Sequence, residues 1–296
     1  MKKILLGHLG VYGDLLHATT IARQIKTDNP DCHLTFGVGS HYSDILKHNP
    51  YIDEIWEFPV ANRWEVTSKW YDFEKTAYNL KTSGRFDEVY LTQIYPGYPH
   101  LFYDTLRAAM FRAYPRPITV PKKPLVYLSL REIDEVRRFA DRYQLEKKKY
   151  VILFEWSPQS NQSFVTEEFV LAAAGKIVLT LPNSCVILSG DKPITTNDPD
   201  IIDASYLSFR ENAELSVYCN LFIGTGSGIT QLLQSNWAMD LPTILLLNKR
   251  TTASVIVDHE YFGIPTYDII EMTECDSNRL LACVVDCFDS VIGGVD

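Results

Sequence analysis

Short apolar runs alternate with amphipathic stretches along most of the chain, and this alternation constrains the fold more than any other feature. The run KKILLGH precedes a predicted helix at 15–28, and HLTFGVG (33–39) precedes the helical stretch SHYSDILKHN. The series continues with a strand at 52–59, a helix at 69–83, a strand at 87–94 and a helix at 100–113. Such a series predicts a parallel sheet with helices on both faces, joined by right-handed crossovers.

The alternation is interrupted at 114–124, where YPRPITVPKKP holds four prolines in eleven residues. Proline fixes φ and removes a backbone donor, so this stretch predicts a linker. A helix at 128–145 follows, and then a second series of strands and helices begins. Its predicted elements are strand 150–156, helix 166–180, strand 184–190, helix 208–218, strand 221–224, helix 228–236, strand 242–248 and helix 276–292.

These two series predict an α/β fold with two Rossmann-like domains that face each other across a cleft. The expected N-terminal domain covers residues 1–122 and the expected C-terminal domain covers 123–296. The last helix is expected to pack back on the N-terminal domain. Ligands of such sheets bind beyond the carboxyl ends of the strands, so the cleft is the expected site.

Composition excludes several classes of protein. No apolar run approaches the ~20 residues that cross a bilayer, and the three apolar residues before Gly7 are too few for a signal peptide, so a cytoplasmic protein is expected. The six cysteines contain no CxxC pair, which favours reduced thiols over a zinc site. A net charge of −9 argues against a nucleic-acid partner.

The loop GHLGVYGD between the first strand and helix carries the first candidate site. Its glycines do not have the G-x-G-x-x-G spacing of a dinucleotide fingerprint, and no acid ends the second strand, so an NAD(P)-dependent oxidoreductase is only a third alternative. Asp14 stands where the helix should begin. It is interpreted either as a cap or first-turn acid that stabilises the helix, or as a residue with a chemical role.

The whole opening resembles that of the bacterial heptosyltransferases, glycosyltransferase family nine. The matching elements are Gly13-Asp14, Leu15-Leu16, Asn49-Pro50 and Ile52-Asp53. The resemblance implies a GT-B fold and inverting transfer of a sugar from a nucleotide sugar. It also implies that Asp14 is the general base, since a carboxylate can take the proton of an attacking hydroxyl.

The other residues of this loop have supporting roles in that interpretation. Gly10 and Gly13 allow the backbone to approach the substrates closely. His8 replaces the Arg or Lys that is frequent in the family. It is expected either to donate to a phosphate or acceptor, or to fill space.

The run LSFRENAELSVYCNLFIGTGSGITQLLQ carries the second half of the resemblance. Asn212, Glu214, Leu215, the strand LFIG and Ser227-Gly228 match the family, whereas Gly226 replaces an Asp and Gln231 replaces a His. Gly224 to Gly228 form a glycine-rich turn before a helix. Its amides and the hydroxyls of Thr225 and Ser227 suit a pyrophosphate, although a tight turn without a ligand is the alternative. The replaced Asp leaves the donor open, and ADP-heptose is not implied.

The segment FEWSPQSNQSF lacks the Lys that family members carry for the donor phosphates. Lys249 and Arg250, in the predicted loop after PTILLLN, are the candidates to replace it, with a solvated charge pair as the alternative. Glu155 and Trp156 follow a strand end and are expected to touch the donor base or sugar. Tyr95, Tyr98, His100 and Tyr103 are candidates for the acceptor side, with packing as an equally good interpretation.

The resemblance therefore implies an inverting glycosyltransferase, and we expect it to be metal-independent and to use no cofactor. No DxD motif follows a strand, so no metal ligand is assigned. The expected partners are a nucleotide-diphosphate sugar and a glycan, lipid-linked or protein acceptor, and a membrane is contacted only through the acceptor. The main alternative is a catalytically degenerate nucleotide-sugar-binding protein of the same fold, favoured by the missing Asp and Lys.

Overall fold

The protein is described here by a computed structural model that covers residues 1–158 and 160–291. The chain divides into two compact units, Met1–Tyr127 and a second unit that begins at Leu128. Each unit contains one parallel sheet with helices, so the predicted α/β fold with two Rossmann-like halves is confirmed. No helix of the described ranges is long and apolar enough to cross a membrane.

The first unit is built on a four-stranded parallel sheet. Its strand order is β3-β2-β1-β4, with bounds Lys3–Gly7 (β1), His33–Gly39 (β2), Glu54–Phe58 (β3) and Glu88–Leu91 (β4). Its helices are Tyr12–Asp28 (α1), Glu65–Thr82 (α2) and Leu106–Arg112 (α3), with 3-10 turns at Ser40–Leu46 and Pro99–Leu101. Ile4, Leu5 and Leu6 of β1 are all fully buried, which is the pattern of a central strand covered on both faces.

The second unit has a six-stranded parallel sheet of order β10-β9-β8-β5-β6-β7. The strands are Tyr150–Glu155 (β5), Ser184–Ser189 (β6), Ile201–Asp203 (β7), Leu221–Gly224 (β8), Thr243–Leu247 (β9) and Asp268–Glu271 (β10). The helices are Leu130–Tyr143 (α4), Glu167–Thr180 (α5), Glu211–Leu215 (α6), Gly228–Leu232 (α7), Lys249–Phe262 (α8) and Ser277–Val291 (α9). Counted from β5, this is the 3-2-1-4-5-6 order of dinucleotide-binding sheets, and the first unit has its first four strands.

The proline-rich stretch is tied to the first unit. Gln24 of α1 accepts hydrogen bonds from the amides of Thr119 (2.7 Å) and Val120 (3.0 Å), and the Thr19 hydroxyl accepts from the Leu125 amide (2.8 Å). These bonds explain why the first unit extends to Tyr127, five residues beyond the predicted boundary at 122. The stretch lacks regular structure, as its prolines predict, but side chains of α1 hold it in place.

The last helix belongs to the core of the second unit. Leu280, Val284, Cys287 and Phe288 of α9 are buried in one apolar cluster with residues of β5 and α5. These four side chains therefore pack within the second unit. Gly293 and Gly294, which follow this helix, lie outside the described residues.

Several predicted elements differ in extent, and three are new. The helix predicted at 100–113 is a 3-10 turn followed by the shorter α3, and the strands β7 and β10 and the helix α8 were not predicted. Helix α8 carries threonine, valine and isoleucine, which have low helix propensity. Its ends explain why it forms, because the Asn248 side chain caps the Thr251 amide at 3.0 Å and Gly263 ends the helix at φ 63°.

Candidate functional site

Both candidate sites lie where the strand order of a sheet reverses. In the first unit this point lies between β1 and β4, so the loop that carries Asp14 neighbours the loop that begins at Thr92. In the second unit it lies between β5 and β8, which brings Glu155 beside the turn 224–228. Loops diverge at such a point and leave a crevice outside the carboxyl ends of the strands.

The loop after β1 is held by Gln93, which follows β4. The Gln93 side chain accepts from the Leu9 amide at 3.1 Å and donates to the Gly10 carbonyl at 3.3 Å. Gly10 has φ 150°, and a Cβ atom there would lie 2.5 Å from two ring atoms of Tyr42. A side chain at position 10 would therefore be strained and crowded. Local structure alone is enough to explain why glycine occupies this position.

Asp14 is the third residue of α1, and Val11 occupies the N-cap position. It is therefore a first-turn acid and not the cap, although an acid in the first turn still interacts favourably with the helix dipole. Within residues 1–158 and 160–291 no group donates a hydrogen bond to its carboxylate, and the nearest ionisable partner is His8 Nε2, 3.9 Å from Oδ2. Burial raises the pKa of Asp14 from 3.8 to about 7, while 26% of the side chain stays exposed.

His8, whose Nε2 is near this carboxylate, is almost fully buried. Its Nδ1 is 3.0 Å from the Thr92 hydroxyl, and its Nε2 has no hydrogen-bond partner in the described part of the chain. Burial lowers the pKa of His8 to about 4, so the ring is neutral at pH 7. His8 therefore does not replace the positive charge of the Arg or Lys in the family at this pH. Its predicted donation to a phosphate or acceptor would come from a neutral ring.

Two further buried residues near this loop were missed from the sequence. His17 of α1 is three residues after Asp14, and burial, followed by the charge of Arg107, lowers the pKa of His17 well below its usual value. Arg107 of α3 is 3% exposed. The i, i+3 spacing of Asp14 and His17 was available as a signal, but burial of Arg107 depends on the packing of α3 and has no signature in its own segment.

Glu155, at the end of β5, organises the glycine-rich turn. Its carboxylate accepts hydrogen bonds from the Thr225 amide (2.7 Å), the Thr230 hydroxyl (2.7 Å) and the Ser227 hydroxyl. The Thr230 hydroxyl in turn accepts from the Gly226 amide at 3.1 Å. Glu155 is 1% exposed, so its side chain contacts the turn itself, in the place where the sequence predicted contact with a donor.

This network changes how the turn can serve a pyrophosphate. The Ser227 hydroxyl and the amides of Thr225 and Gly226 are already bonded within the protein. In the described residues the amides of Ser227 and Gly228 have no acceptor, and both residues are partly exposed. The Thr225 hydroxyl has no hydrogen-bond partner among the described residues, but Thr225 is fully buried. The prediction of a phosphate-binding turn is thereby narrowed to the amides of Ser227 and Gly228.

Gly226 is required by the shape of the turn. Its φ is 72°, and a Cβ atom there would lie 2.7 Å from Gln162 Oε1 and 2.7 Å from Leu247 Cδ2. The Asp that the family carries at this position would not fit without movement of both neighbours. Glycine at position 226 therefore fits the local packing of this chain better than Asp would.

Trp156 packs into the interior of the second unit. It is 5% exposed, and its amide donates to the Ser189 carbonyl at 2.7 Å. The indole Nε1 is buried and has no hydrogen-bond partner in the described part of the chain. Contact of this residue with a donor base or sugar stays a prediction.

Lys249 and Arg250 are the first two residues of α8, so their predicted place in a loop was wrong. Both side chains are exposed, and neither forms an ion pair with another described residue. Cations in the first turn oppose the helix dipole by about 0.3–1 kcal/mol each. The Asn248 amide donates to the Gln162 carbonyl at 2.7 Å, which places the start of α8 beside the segment that follows β5.

The aromatic segment after β4 is partly engaged in packing. The Tyr98 hydroxyl donates to Glu74 at 2.9 Å, and the Arg112 guanidinium lies 3.8 Å from the ring centroid of Tyr103. Tyr95 and Tyr103 are 53% and 73% exposed, and His100 is also exposed. No cluster of three or more His, Cys, Asp or Glu side chains that could hold a metal occurs among residues 1–158 and 160–291.

No protein-family model and no curated protein matches the sequence. Solved structures do match. A glycosyltransferase of family 9 from Veillonella parvula has a TM-score of 0.65 and 13% identity, with 96% of each chain covered. The E. coli ADP-heptose lipopolysaccharide heptosyltransferase II has a TM-score of 0.60 and 13% identity, with 97% of this chain and 98% of that chain covered.

A protein of another assigned activity has a similar fold. A protein assigned as a UDP-N-acetylglucosamine 2-epimerase from Listeria monocytogenes has a TM-score of 0.57 and 10% identity, over 97% of this chain and 88% of that one. At such identities the likeness establishes the fold and leaves the chemistry to the site residues. The chain has the α/β fold of the family-nine glycosyltransferases, built from two Rossmann-like sheets.

Proposed function

We propose that the protein is an inverting, metal-independent glycosyltransferase that moves a sugar from a nucleotide-diphosphate sugar to an acceptor hydroxyl. The observation that carries the proposal is the Asp14 carboxylate, which no described group hydrogen-bonds and whose pKa is raised to about 7. A general base works best when its pKa is near the operating pH.

The class of donor is supported by the fold neighbours. The names of two of them contain a nucleotide-diphosphate sugar, ADP-heptose in one and UDP-N-acetylglucosamine in the other. Only the nucleotide diphosphate is common to the two names. We therefore assign this chain a nucleotide-diphosphate sugar without naming the sugar or the base.

In the proposed mechanism, Asp14 accepts the proton of the acceptor hydroxyl while its oxygen attacks the anomeric carbon. The bond from that carbon to the diphosphate oxygen breaks, and the leaving diphosphate carries the negative charge away. Attack from the face opposite the leaving group inverts the anomeric configuration. Transfer requires Asp14 and the donor-binding groups to act on one pair of substrates.

The groups assigned to the leaving diphosphate belong to the second unit. They are the amides of Ser227 and Gly228 and the cations Lys249 and Arg250, which have no competing ion pair among the described residues. Backbone amides and cations stabilise the developing charge of a phosphate. No step of the proposal is assigned to Glu155, because its carboxylate is bonded within the turn.

One observation favours the alternative of a degenerate nucleotide-sugar-binding protein. The buried Glu155 takes hydroxyl and amide donors of the turn that the sequence assigned to a pyrophosphate. A protein of this kind would bind a nucleotide sugar and release no product. Both functions use the same fold, so a turnover measurement is needed to separate them.

The test is a thermal-shift screen followed by turnover. ADP-, GDP- and UDP-sugars are expected to raise the melting temperature by mass action, and CMP-sugars, which lack a diphosphate, serve as the comparison. Any binder is then incubated with glycan acceptors, and release of the nucleoside diphosphate is measured. Release that is lost in Asp14→Asn and kept in Glu167→Gln, a first-turn acid of α5, supports the proposal. Binding without release under all conditions would leave the binding protein as the function.

A further inference from the structure

The outward face of α2 carries three exposed aromatic side chains at intervals of seven residues. Trp64, Tyr71 and Tyr78 are 79%, 60% and 43% exposed. Trp64 is the N-cap residue and has helical backbone angles (φ −73°, ψ −23°), so it continues the same line. Seven residues are nearly two helical turns, and successive rings are therefore about 10 Å apart along the helix. These three residues are called the aromatic stripe.

Polar side chains occupy the exposed positions between the aromatic residues. The opposite face of α2 is apolar and buried through Val66, Trp70, Phe73 and Ala77, so the stripe is not part of the core. Between the aromatic residues no aliphatic side chain is exposed. The exposed polar residues next to the stripe are Thr67, Ser68, Asp72, Lys75 and Asn79.

This composition argues against a helix or a membrane as the ligand. A partner helix would need apolar residues at both core positions of each heptad, but Ser68 and Lys75 occupy the second position. A membrane-bound helix face combines bulky apolar residues with a surplus of Lys and Arg. Here Asp72 stands beside Lys75, and Tyr predominates over aliphatic residues.

Neighbouring groups contact two of the three aromatic side chains. The Arg63 guanidinium lies 4.8 Å from the centroid of the Trp64 ring. The Tyr78 hydroxyl is 3.2 Å from that of Tyr98, which donates to Glu74. Rigid Trp and Tyr side chains offer a large amphipathic surface with little loss of conformational entropy on binding.

We infer that the aromatic stripe is a binding surface for an extended glycan chain. The apolar faces of pyranose rings stack on aromatic rings, and their hydroxyls are matched by the carboxylate, ammonium and amide groups of Asp72, Lys75 and Asn79. The interval of about 10 Å is close to the length of one disaccharide in an extended chain. Successive aromatic residues therefore contact every second sugar ring. This surface uses neither Asp14 nor the donor-binding groups, and it binds glycan whether or not transfer occurs.

The test is isothermal titration of the full-length chain, without nucleotide, with chitohexaose, cellohexaose and maltohexaose. At least one hexasaccharide is expected to bind, and its disaccharide at least tenfold more weakly, because a disaccharide spans only one interval. Trp64→Ala and Tyr71→Ala are each expected to weaken binding at least fivefold. The matched control is Tyr261→Ala, which removes a 67% exposed tyrosine of α8 and should leave the affinity unchanged.

Two results would overturn the inference. One is that none of the three hexasaccharides binds, including the case in which vesicles of anionic lipid bind instead. The other is that the two stripe variants, with melting temperatures like the parent, keep the parent affinity. Because the assay contains no donor, neither result affects the proposed transfer reaction.

Discussion

Two acids, one that ends a central strand and one in the helix that follows a central strand, have opposite surroundings. Asp14 follows the central strand β1, has no hydrogen-bond donor among the described residues, and has a pKa raised to about 7. Glu155 ends the central strand β5 and is held by the Thr225 amide and two hydroxyls. The difference teaches that an acid at or after the carboxyl end of a central strand can act as a proton acceptor or as a structural tie, and that its hydrogen-bond donors separate the two roles.

The largest expected effect comes from replacing Asp14, the acid without a hydrogen-bond donor among the described residues. Asp14→Asn is expected to lower kcat/KM for transfer at pH 8 by about 10²–10⁴, the usual contribution of a general base. The donor should still bind. The measurement is the initial rate with the donor found by the screen, and Glu167→Gln of α5 controls for loss of a first-turn charge.

The same substitution should increase stability at alkaline pH. A folded pKa of about 7 against 3.8 means that the native state loses stability as pH rises between these values. At about 1.4 kcal/mol per pH unit the loss has an upper limit of about 4 kcal/mol, and with 26% of the side chain exposed we expect about 2 kcal/mol. Urea unfolding at pH 8 should therefore show Asp14→Asn as the more stable protein. A less stable Asp14→Asn at this pH would instead assign Asp14 the role of a first-turn acid that stabilises the helix.

Replacing Glu155, the acid with hydrogen-bond donors, should mainly lower the stability of the protein. Glu155→Ala leaves one amide and two hydroxyls without their acceptor, and we expect the free energy of unfolding to fall by about 3 kcal/mol. The measurement is urea unfolding at pH 7. Glu135→Ala, which breaks an exposed ion pair with Arg138, is the control and should change stability by less than about 0.5 kcal/mol. A fall below 1 kcal/mol in Glu155→Ala would show that the network does not hold the turn.

Two glycines of the second unit test how rigid the turn held by Glu155 is. Gly226 and Gly263 have similar backbone angles, φ 72° and 63°, but only Gly226 has neighbours where a Cβ atom would lie. Gly263→Ala is expected to lose about 1 kcal/mol from left-handed strain alone. Gly226→Ala should lose about 2–3 kcal/mol, because strain and crowding add. Equal losses in thermal unfolding would mean that the turn relaxes freely.

The smallest expected effect concerns the cations at the start of α8. Replacing both Lys249 and Arg250 by Ala should weaken donor binding about tenfold, with less dependence on salt than in the parent. Stability should rise by about 0.6 kcal/mol, since two exposed charges that each oppose the helix dipole by about 0.3 kcal/mol are removed. Arg131→Ala, a first-turn cation of α4, is the matched control and should leave donor affinity unchanged. Unchanged affinity in the double variant would remove these cations from the donor site.

The two-unit architecture was accessible from the sequence because its signals are local. The period of the apolar runs, the prolines at 115–124 and the glycines before α1 and α7 each predict an element or a break within a few residues. Helix α8 was missed because its interior has low helix propensity and only its caps favour it. Lys249 and Arg250 were therefore predicted to lie in a loop, whereas they begin a helix.

The roles of the two acids were not accessible in the same way. Glu155 is separated from Thr225 and Thr230 by about 70 residues along the chain, and only the pairing of β5 with β8 brings them together. The raised pKa of Asp14 depends on burial, which is set by the folded unit as a whole. Such long-range contacts have no signature in the segments that carry the residues.

The most direct test is a titration of the Asp14 carboxyl carbon by ¹³C NMR, with Asp14→Asn used to assign the signal. An unpaired, buried carboxyl that serves as the base should titrate with an apparent pKa near 7, and the acidic limb of kcat/KM should have the same midpoint. A carboxyl that titrates near its ordinary value of 3.8 would contradict this account of Asp14.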